Sequence, residues 1–353
     1  MSAHLNRLSR RCVAIALLVT SAGCGSTEES PSGPVVPSGG PADPAVGDCP
    51  VEAPILVCGQ PVLAGIAVDQ ENVYFGVDGA IMKVPIHGGV PVAIVRITAR
   101  AVAIAVHGKE VFWIDQDHVL AGSGGTVHKV AITGGAPVLL GSTEHQPIDL
   151  AVDDDSVYWV DDSAVMKAPA TGDGASTVLA PAIAGTAIAV DGTSVYWTEL
   201  YGGSDPNADD GRLMRVPREG GSALVFASNQ AHPIDVAVDG TSVYWTTLGS
   251  TSGLLAPMGN GGVSKISIAG ATKLVPLVDG NTVTSLSAPT EIAVNAEYVF
   301  WLGELPGGLS KIAIGGGTPE TVNDETLWSN IAVGSKQVYL TDEVAGTVSG
   351  IDP

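Results

Sequence analysis

Seven times along the chain an alternating apolar stretch of the Ile-Ala-Val type is followed, always seven positions on, by a Val-aromatic-aromatic or closely related triplet. The pairs begin at Ile66 and Val73, Ile104 and Val111, Leu150 and Val157, Ile188 and Val195, Val236 and Val243, Ile292 and Val299, and Ile331 and Val338. Successive copies lie 38 to 56 residues apart, a period that marks a solenoid or a propeller. Within each copy the apolar positions alternate, and no long window shows a clean helical period, so the elements are short strands. In the second copy Ala103–Val106 turns at His107-Gly108-Lys109-Glu110 into Val111–Ile114. A longer connection leads to Val127–Ile132, and Gly134-Gly135 precedes Pro137–Leu140. These are four antiparallel strands, here a to d, and four strands per repeat make a propeller blade.

The ends of the chain predict how the ring closes. The last copy stops at Ile351-Asp352-Pro353, after its strand c. Upstream of the first copy, Pro54-Ile55-Leu56-Val57 matches Pro137-Val138-Leu139-Leu140 and ends nine residues before Ile66, as Val95 ends nine before Ile104. The expectation is an all-β, seven-bladed β-propeller with four antiparallel strands per blade, closed by an N-terminal strand that completes the last blade. Closure removes the open sheet edges that invite aggregation.

The repeat resembles the YWTD propellers, the class B repeats of LDL-receptor-type proteins. The matching residues are Leu150-Ala151-Val152-Asp153 with Tyr158-Trp159-Val160-Asp161, and Ile188-Ala189-Val190-Asp191 with Tyr196-Trp197-Thr198-Glu199. Tyr74-Phe75-Gly76, Tyr244-Trp245-Thr246-Thr247 and Tyr339-Leu340-Thr341-Asp342 depart from it. The likeness extends from Pro54 to the end and implies the fold. That family usually has six blades against the seven units counted here, and propellers host many unrelated activities.

The N-terminus addresses the compartment. Arg7, Arg10 and Arg11 precede an apolar run from Cys12 to Thr20 and then Ser21-Ala22-Gly23-Cys24, the layout of a signal peptide over residues 1–23. Ala-Gly-Cys resembles a bacterial lipobox, with Ser21 where Leu is usual, which implies a lipid on Cys24; ordinary cleavage with a free Cys24 is the alternative. Residues 24–48 are rich in Pro, Gly and Ser and read as a linker. Residues 49–353 are the propeller. The expected location is the bacterial cell envelope, the outer membrane where two membranes exist, with Gly25 after the lipid-bearing Cys. Cys49 and Cys58 are left as a disulfide candidate in an exported compartment, or as two free thiols.

Net charge is −21, and removal of the three signal-peptide arginines takes it to −24. That opposes nucleic acid as a partner. Solubility, cations and basic peptides remain as reasons for it.

Topology orders the loops by face. The a–b turns keep one length, whereas insertions at Gln116–Gly125, Leu200–Gly211, Thr247–Gly261 and Asp279–Thr290 all fall on the b–c and d–a side. Variable loops on a rigid scaffold carry binding. On that face Asp205, Asn207 and Asp209 offer hard oxygen ligands before Gly211, a candidate Ca²⁺ site or else a solvated acidic turn. The residues preceding the innermost apolar tripeptides are Gly65, Ala103, Asp149, Ala187, Asp235, Glu291 and Asn330. Asp149, Asp235 and Glu291, with His145 and His232 nearby, are candidates for binding a metal or cationic ligand at the channel mouth, or for acid–base chemistry. The alternative is that each caps a strand start.

Tyr74, Trp113, Trp159, Trp197, Trp245 and Trp301 sit at one register and read as inter-blade core. Lys83, Lys129, Lys167, Arg215, Lys265 and Lys311 recur in strand c and read as contacts between neighbouring strands. No HExxH, GxSxG, P-loop or GxGxxG motif is present. The functional expectation is therefore a surface-anchored, monomeric recognition module that is not an enzyme and binds a protein, peptide or glycan on the b–c/d–a face. Its rivals are a metal-dependent lyase or hydrolase at the channel mouth, similar to the seven-bladed streptogramin lyases, and a scaffold that stabilises an envelope complex.

Overall fold

The computed structural model describes residues 55–60, 62–116, 124–203, 205, 208–250, 261–269, 274–279, 288–303, 308–324 and 328–353. They form seven four-stranded antiparallel sheets, the blades of a propeller. Blades I to VI span 62–96, 100–143, 149–181, 185–230, 233–279 and 289–323, and blade VII combines 330–351 with the N-terminal strand Ile55–Val57. Each innermost strand packs against those of both neighbouring blades, and the last packs against the first. The expected signal peptide and linker, residues 1–48, and Cys49 lie outside the described residues.

The closing strand reproduces its counterparts to the residue. In blade I, Ile81 pairs with Val95 and Met82 with Ala93, so Ile94 bulges out of the ladder. The same shift skips Leu140, Leu179, Phe226, Leu277 and Val322 in blades II to VI. At the seam Val57 pairs with Val348 and Ile55 with Ser349, so Leu56 is the bulged residue. A bulge sharpens the local twist, and here it recurs with an apolar side chain in every blade. Val57 thus corresponds to Val95, as their equal distances from Ile66 and Ile104 require. The expected match of Val57 to Leu140 is one residue out, because Val57 occupies the register of Gly141.

Between blades the core is a relay of aromatics. Successive strand residues point to opposite faces of a sheet, so the two aromatics of strand b serve two different interfaces. Tyr74 of blade I shares a buried cluster with Trp113 of blade II, Phe112 with Trp159, Tyr158 with Trp197, Tyr196 with Trp245, and Tyr244 with Trp301. Phe300 meets Leu340, and Tyr339 of blade VII meets Phe75 of blade I, which makes the seam an interface like the other six. All five of these tryptophans are at most 1% exposed, too enclosed for a ligand to stack on their faces. Truncating one to Ala would cost about 3–5 kcal/mol.

The strand-c cations reinforce the same interfaces. Lys83 donates to the Ile132 carbonyl of the next blade at 2.8 Å, Lys167 to Arg218 at 2.7 Å, and Lys265 to Ile314. Arg215 lies over Tyr196 and Phe226, and Lys311 lies over Tyr298. Lys129 pairs with Glu110 within its own blade at 2.8 Å. These residues hold strands and blades together.

Candidate functional site

At the channel the innermost strand of each blade has one edge without a neighbouring strand, and its N–H groups need other partners. Asp149 Oδ2 accepts the Ile188 N–H of the next blade at 3.0 Å, and Asp235 Oδ2 accepts that of Ile292 at 2.8 Å. Asn330 Oδ1 does the same for Gly65 at 3.3 Å, across the seam. Asp235 is buried and also accepts its neighbour Val236 N–H. These side chains stitch adjacent inner strands. Glu291, half-buried, occupies the equivalent position in blade VI.

The two histidines are held elsewhere. His145 is exposed and pairs with Asp162 of the blade III b–c turn at 2.9 Å. His232 is buried, donates Nδ1–H to the Gly249 carbonyl at 3.1 Å, and lies 3.6 Å from Asp209. Among the described residues no three His, Cys, Asp or Glu side chains come together to hold a metal ion. The expected metal cluster of Asp149, Asp235, Glu291, His145 and His232 is therefore not assembled, because backbone N–H groups and separate loops claim its members.

In the acidic loop of blade IV, Asn207 lies outside the described residues. Asp205 and Asp209 are exposed, and Asp205 receives the Ala208 N–H on its carbonyl at 3.2 Å. Asp210 anchors the loop by accepting the Gly202 N–H at 2.8 Å. Behind it Leu200, Tyr201, Leu248, Ala184, Ile234 and Ala288 bury one another in a small apolar cluster. The connections of blades III to VI are packed there into a second, minor core.

Blades I and II differ. Between them lies a cavity of about 520 Å³, lined by Ile97, Thr98 and Ala99 of the d–a connection and by Trp113, Asp115, Thr126, His128, Ser142 and Thr143 of blade II. It reaches the loop-bearing face through that connection and through Gly124 and Gly125. Its volume falls within the range of about 300–1,000 Å³ common for small-molecule sites. On its wall His128 stacks on Trp113 with ring centroids 5.4 Å apart. His128 Nε2 lies 2.9 Å from the Thr126 hydroxyl and 3.8 Å from Asp115 Oδ2. Burial pushes the His128 imidazole below its usual value, against the opposing pull of Asp115. His128 is thus neutral at pH 7, beside a carboxylate that is 9% exposed.

Comparison between blades shows why the site is here. The position of Asp115 holds Asp161 and Asp342 in blades III and VII, where the carboxylate accepts two successive N–H groups of the following turn. In blade IV it holds Glu199, which takes the Arg212 guanidinium at 2.9 Å and the Trp197 indole N–H at 3.1 Å. In blade II the b–c connection is long, and Asp115 at this position is among the residues that line the cavity. The strand-c residue opposite the second aromatic, or opposite Leu340 in blade VII, is Met82, Met166 or Met214 in blades I, III and IV, and Ser264, Ser310 or Ser349 in blades V to VII. Only blade II places a histidine there, His128 opposite Trp113. That departure was the signal available in the sequence; the cavity itself needs the neighbouring blade.

No family model and no curated protein matches the chain. Solved structures do match, as likenesses of fold. The selenomethionine-substituted virginiamycin B lyase of Staphylococcus aureus aligns over 85% of this chain and 97% of its own, with TM-score 0.63 and 10% identity. The Nidogen/Laminin complex aligns over 69% of this chain and 89% of that one, with TM-score 0.51 and 15% identity. BamB from Moraxella catarrhalis aligns over 83% of each chain, with TM-score 0.50 and 13% identity.

Proposed function

We propose that this chain is an exported, lipid-anchored recognition module that binds its ligand on the face of the b–c and d–a connections. The observation that carries this reading is the cavity between blades I and II, which reaches that face and has a carboxylate, a neutral imidazole and hydroxyls on its walls. It is a concave site with a few polar groups on a rigid scaffold, the usual form of a binding pocket. One propeller of similar fold belongs to a complex of two proteins, nidogen and laminin, an analogy of fold that agrees with a binding role. A metal-dependent lyase or hydrolase at the channel mouth has less support, because Asp149 and Asp235 already serve backbone N–H groups.

The anchor rests on Cys24 after Ser21-Ala22-Gly23, and the YWTD-type reading rests on the repeat motif. The disulfide expected between Cys49 and Cys58 belongs to the same proposal and rests on the two cysteines left in the mature chain beyond Cys24. An oxidising, extracytoplasmic compartment favours such a bond.

The test has two arms. In bacteria fed an alkyne-tagged fatty acid, the wild-type chain takes up label and Cys24→Ser does not; equal labelling of both sinks the anchor. A thermal-shift screen of the mature protein against sugars, amines and short peptides yields at least one ligand whose stabilisation Ala99→Trp, directed into the cavity, removes. Stabilisation that survives in Ala99→Trp places the ligand elsewhere.

A further inference from the structure

We propose that the cavity between blades I and II takes a neutral polyhydroxylated ligand, a sugar, held by the hydroxyl groups of its walls. The inference rests on the recognition reading above and adds the chemistry of the ligand. Thr98 of blade I's d–a connection and Thr126, Ser142 and Thr143 of blade II all line the space. Thr126 and Ser142 are direct partners across strands c and d, so their side chains share one face of the blade. His128, two residues beyond Thr126, lies on that face as well. A hydroxyl both donates and accepts, so such a wall matches a guest whose own groups do the same.

The charges on the walls cancel. Arg96 and Asp115 are the lining residues charged at neutral pH, one of each sign, and each already has a partner. His128, stacked on Trp113, is kept neutral by burial. A charged guest would therefore shed its water with no uncommitted counter-charge to replace it. A neutral guest avoids that cost. An engaged guanidinium or carboxylate still has donors or acceptors to spare for hydroxyl groups, and hydrogen bonds to a charged group are stronger than those between neutral ones. The neutral imidazole, with Nε2 at 2.9 Å from the Thr126 hydroxyl, extends the polar surface where other blades place Met or Ser.

A sugar arrives either free or as the end of a glycan, and the experiment separates the two. Titration calorimetry on the mature full-length protein uses glucose, galactose and N-acetylglucosamine as free sugars, maltotriose and chitotriose as short glycans, and glucosamine, galactosamine, glucuronate and galacturonate as charged counterparts. The expected result is saturable one-to-one binding of at least one neutral sugar, insensitive to added salt because no charge is neutralised. The charged counterparts bind more weakly. A trisaccharide that binds more tightly than its own monosaccharide marks a glycan as the source, and the reverse marks a free sugar. Thr126→Val and Ser142→Ala should each weaken binding about fivefold, the loss of one neutral hydrogen bond. Thr177→Val, on the exposed outer strand of blade III, leaves it unchanged.

Absence of saturable binding by every neutral sugar overturns the proposal, and a hit of another class in the thermal-shift screen, lost in Ala99→Trp, would then leave the cavity a ligand site. Tighter binding of an amino sugar or a uronate overturns the neutral chemistry, with the same variant again deciding whether the cavity holds it. Sugar binding that survives in Ala99→Trp places the sugar elsewhere and refutes the assignment. Should Thr126→Val fail to fold, Ser142→Ala decides, since Ser142 is exposed and its change leaves the core untouched; unchanged affinity there refutes the role of the hydroxyls.

Discussion

The hydroxyl of Tyr244 donates to Asp239 Oδ2 at 2.8 Å, while Oδ1 of the same carboxylate accepts the Thr241 and Ser242 N–H groups that form the a–b turn. The arrangement recurs at Asp69 with Tyr74, Asp153 with Tyr158, and Asp191 with Tyr196. Blades II and VI have Phe112 and Phe300, which carry no hydroxyl, and there His107 and Asn295 replace the aspartate. In blade VII, Gly334 stands at the aspartate position and Tyr339 turns to Gln337 at 3.2 Å. The aspartate of the repeat motif is thus a structural clasp between a turn and the inter-blade core.

A double-mutant cycle measures the clasp. Tyr244→Phe is expected to cost about 1.5–3 kcal/mol, the usual contribution of a hydrogen bond to a charged group. Asp239→Asn together with Tyr244→Phe should cost less than the sum of the two single changes in chemical denaturation. Strict additivity would show that the hydroxyl and carboxylate do not act as a unit.

The same clasps make stability depend on acid. At Asp191 and Asp239 burial pushes the carboxyl up, but hydrogen bonds from the following turn and from Tyr196 or Tyr244 outweigh it, and the net shift is downward. A depressed carboxyl contributes stability that is fully present above its unfolded value, about 4, and is lost as pH falls through the lower folded value. The melting midpoint should therefore drop below about pH 4, and less steeply in Asp191→Asn with Asp239→Asn. An unchanged acid limb in that variant contradicts the assignment.

The seam depends on a glycine. Gly346 has φ of +65°, and a Cβ there would lie 2.1 Å from the Gln60 carbonyl oxygen. Gly346 also accepts the Gln60 N–H at 3.2 Å, which fixes the chain just after the closing strand. Gly346→Ala should cost more than the roughly 1–3 kcal/mol of backbone strain alone and should open the region around Ile55–Gln60 to proteolysis. Wild-type resistance there would mean that the closing strand does not depend on this turn.

The inner ring has its own signature. Asp235→Ala removes the acceptor of the Ile292 N–H, 57 residues away in the next blade. Amide exchange at Ile292 should accelerate, with a stability loss of about 1.5–3 kcal/mol. If that amide stays protected, the inter-blade bond does not form in solution.

Much of this was legible from spacing alone. The seven-residue offset located strands a and b in every copy, and the distance of Val57 from Ile66 placed the closing strand in its observed register. What one strand's pattern cannot carry is which N–H or loop of the next blade a side chain meets. Asp149 and Asp235 therefore looked like ligands at a channel mouth but bond to Ile188 and Ile292. The cavity escaped for the same reason: Ile97 to Ala99 and Trp113 to His128 are brought together by the packing of blade I on blade II. His128, standing where other blades carry Met or Ser, was its one visible trace.

The most direct test of the ligand site is hydrogen–deuterium exchange on the mature protein with and without a saturating ligand from the screen. The account predicts added protection in peptides covering Arg96–Ala99, Trp113–Gln116 and Gly125–Lys129. Protection centred instead on Asp149, Asp235 and Glu291 would contradict it and return the site to the channel mouth.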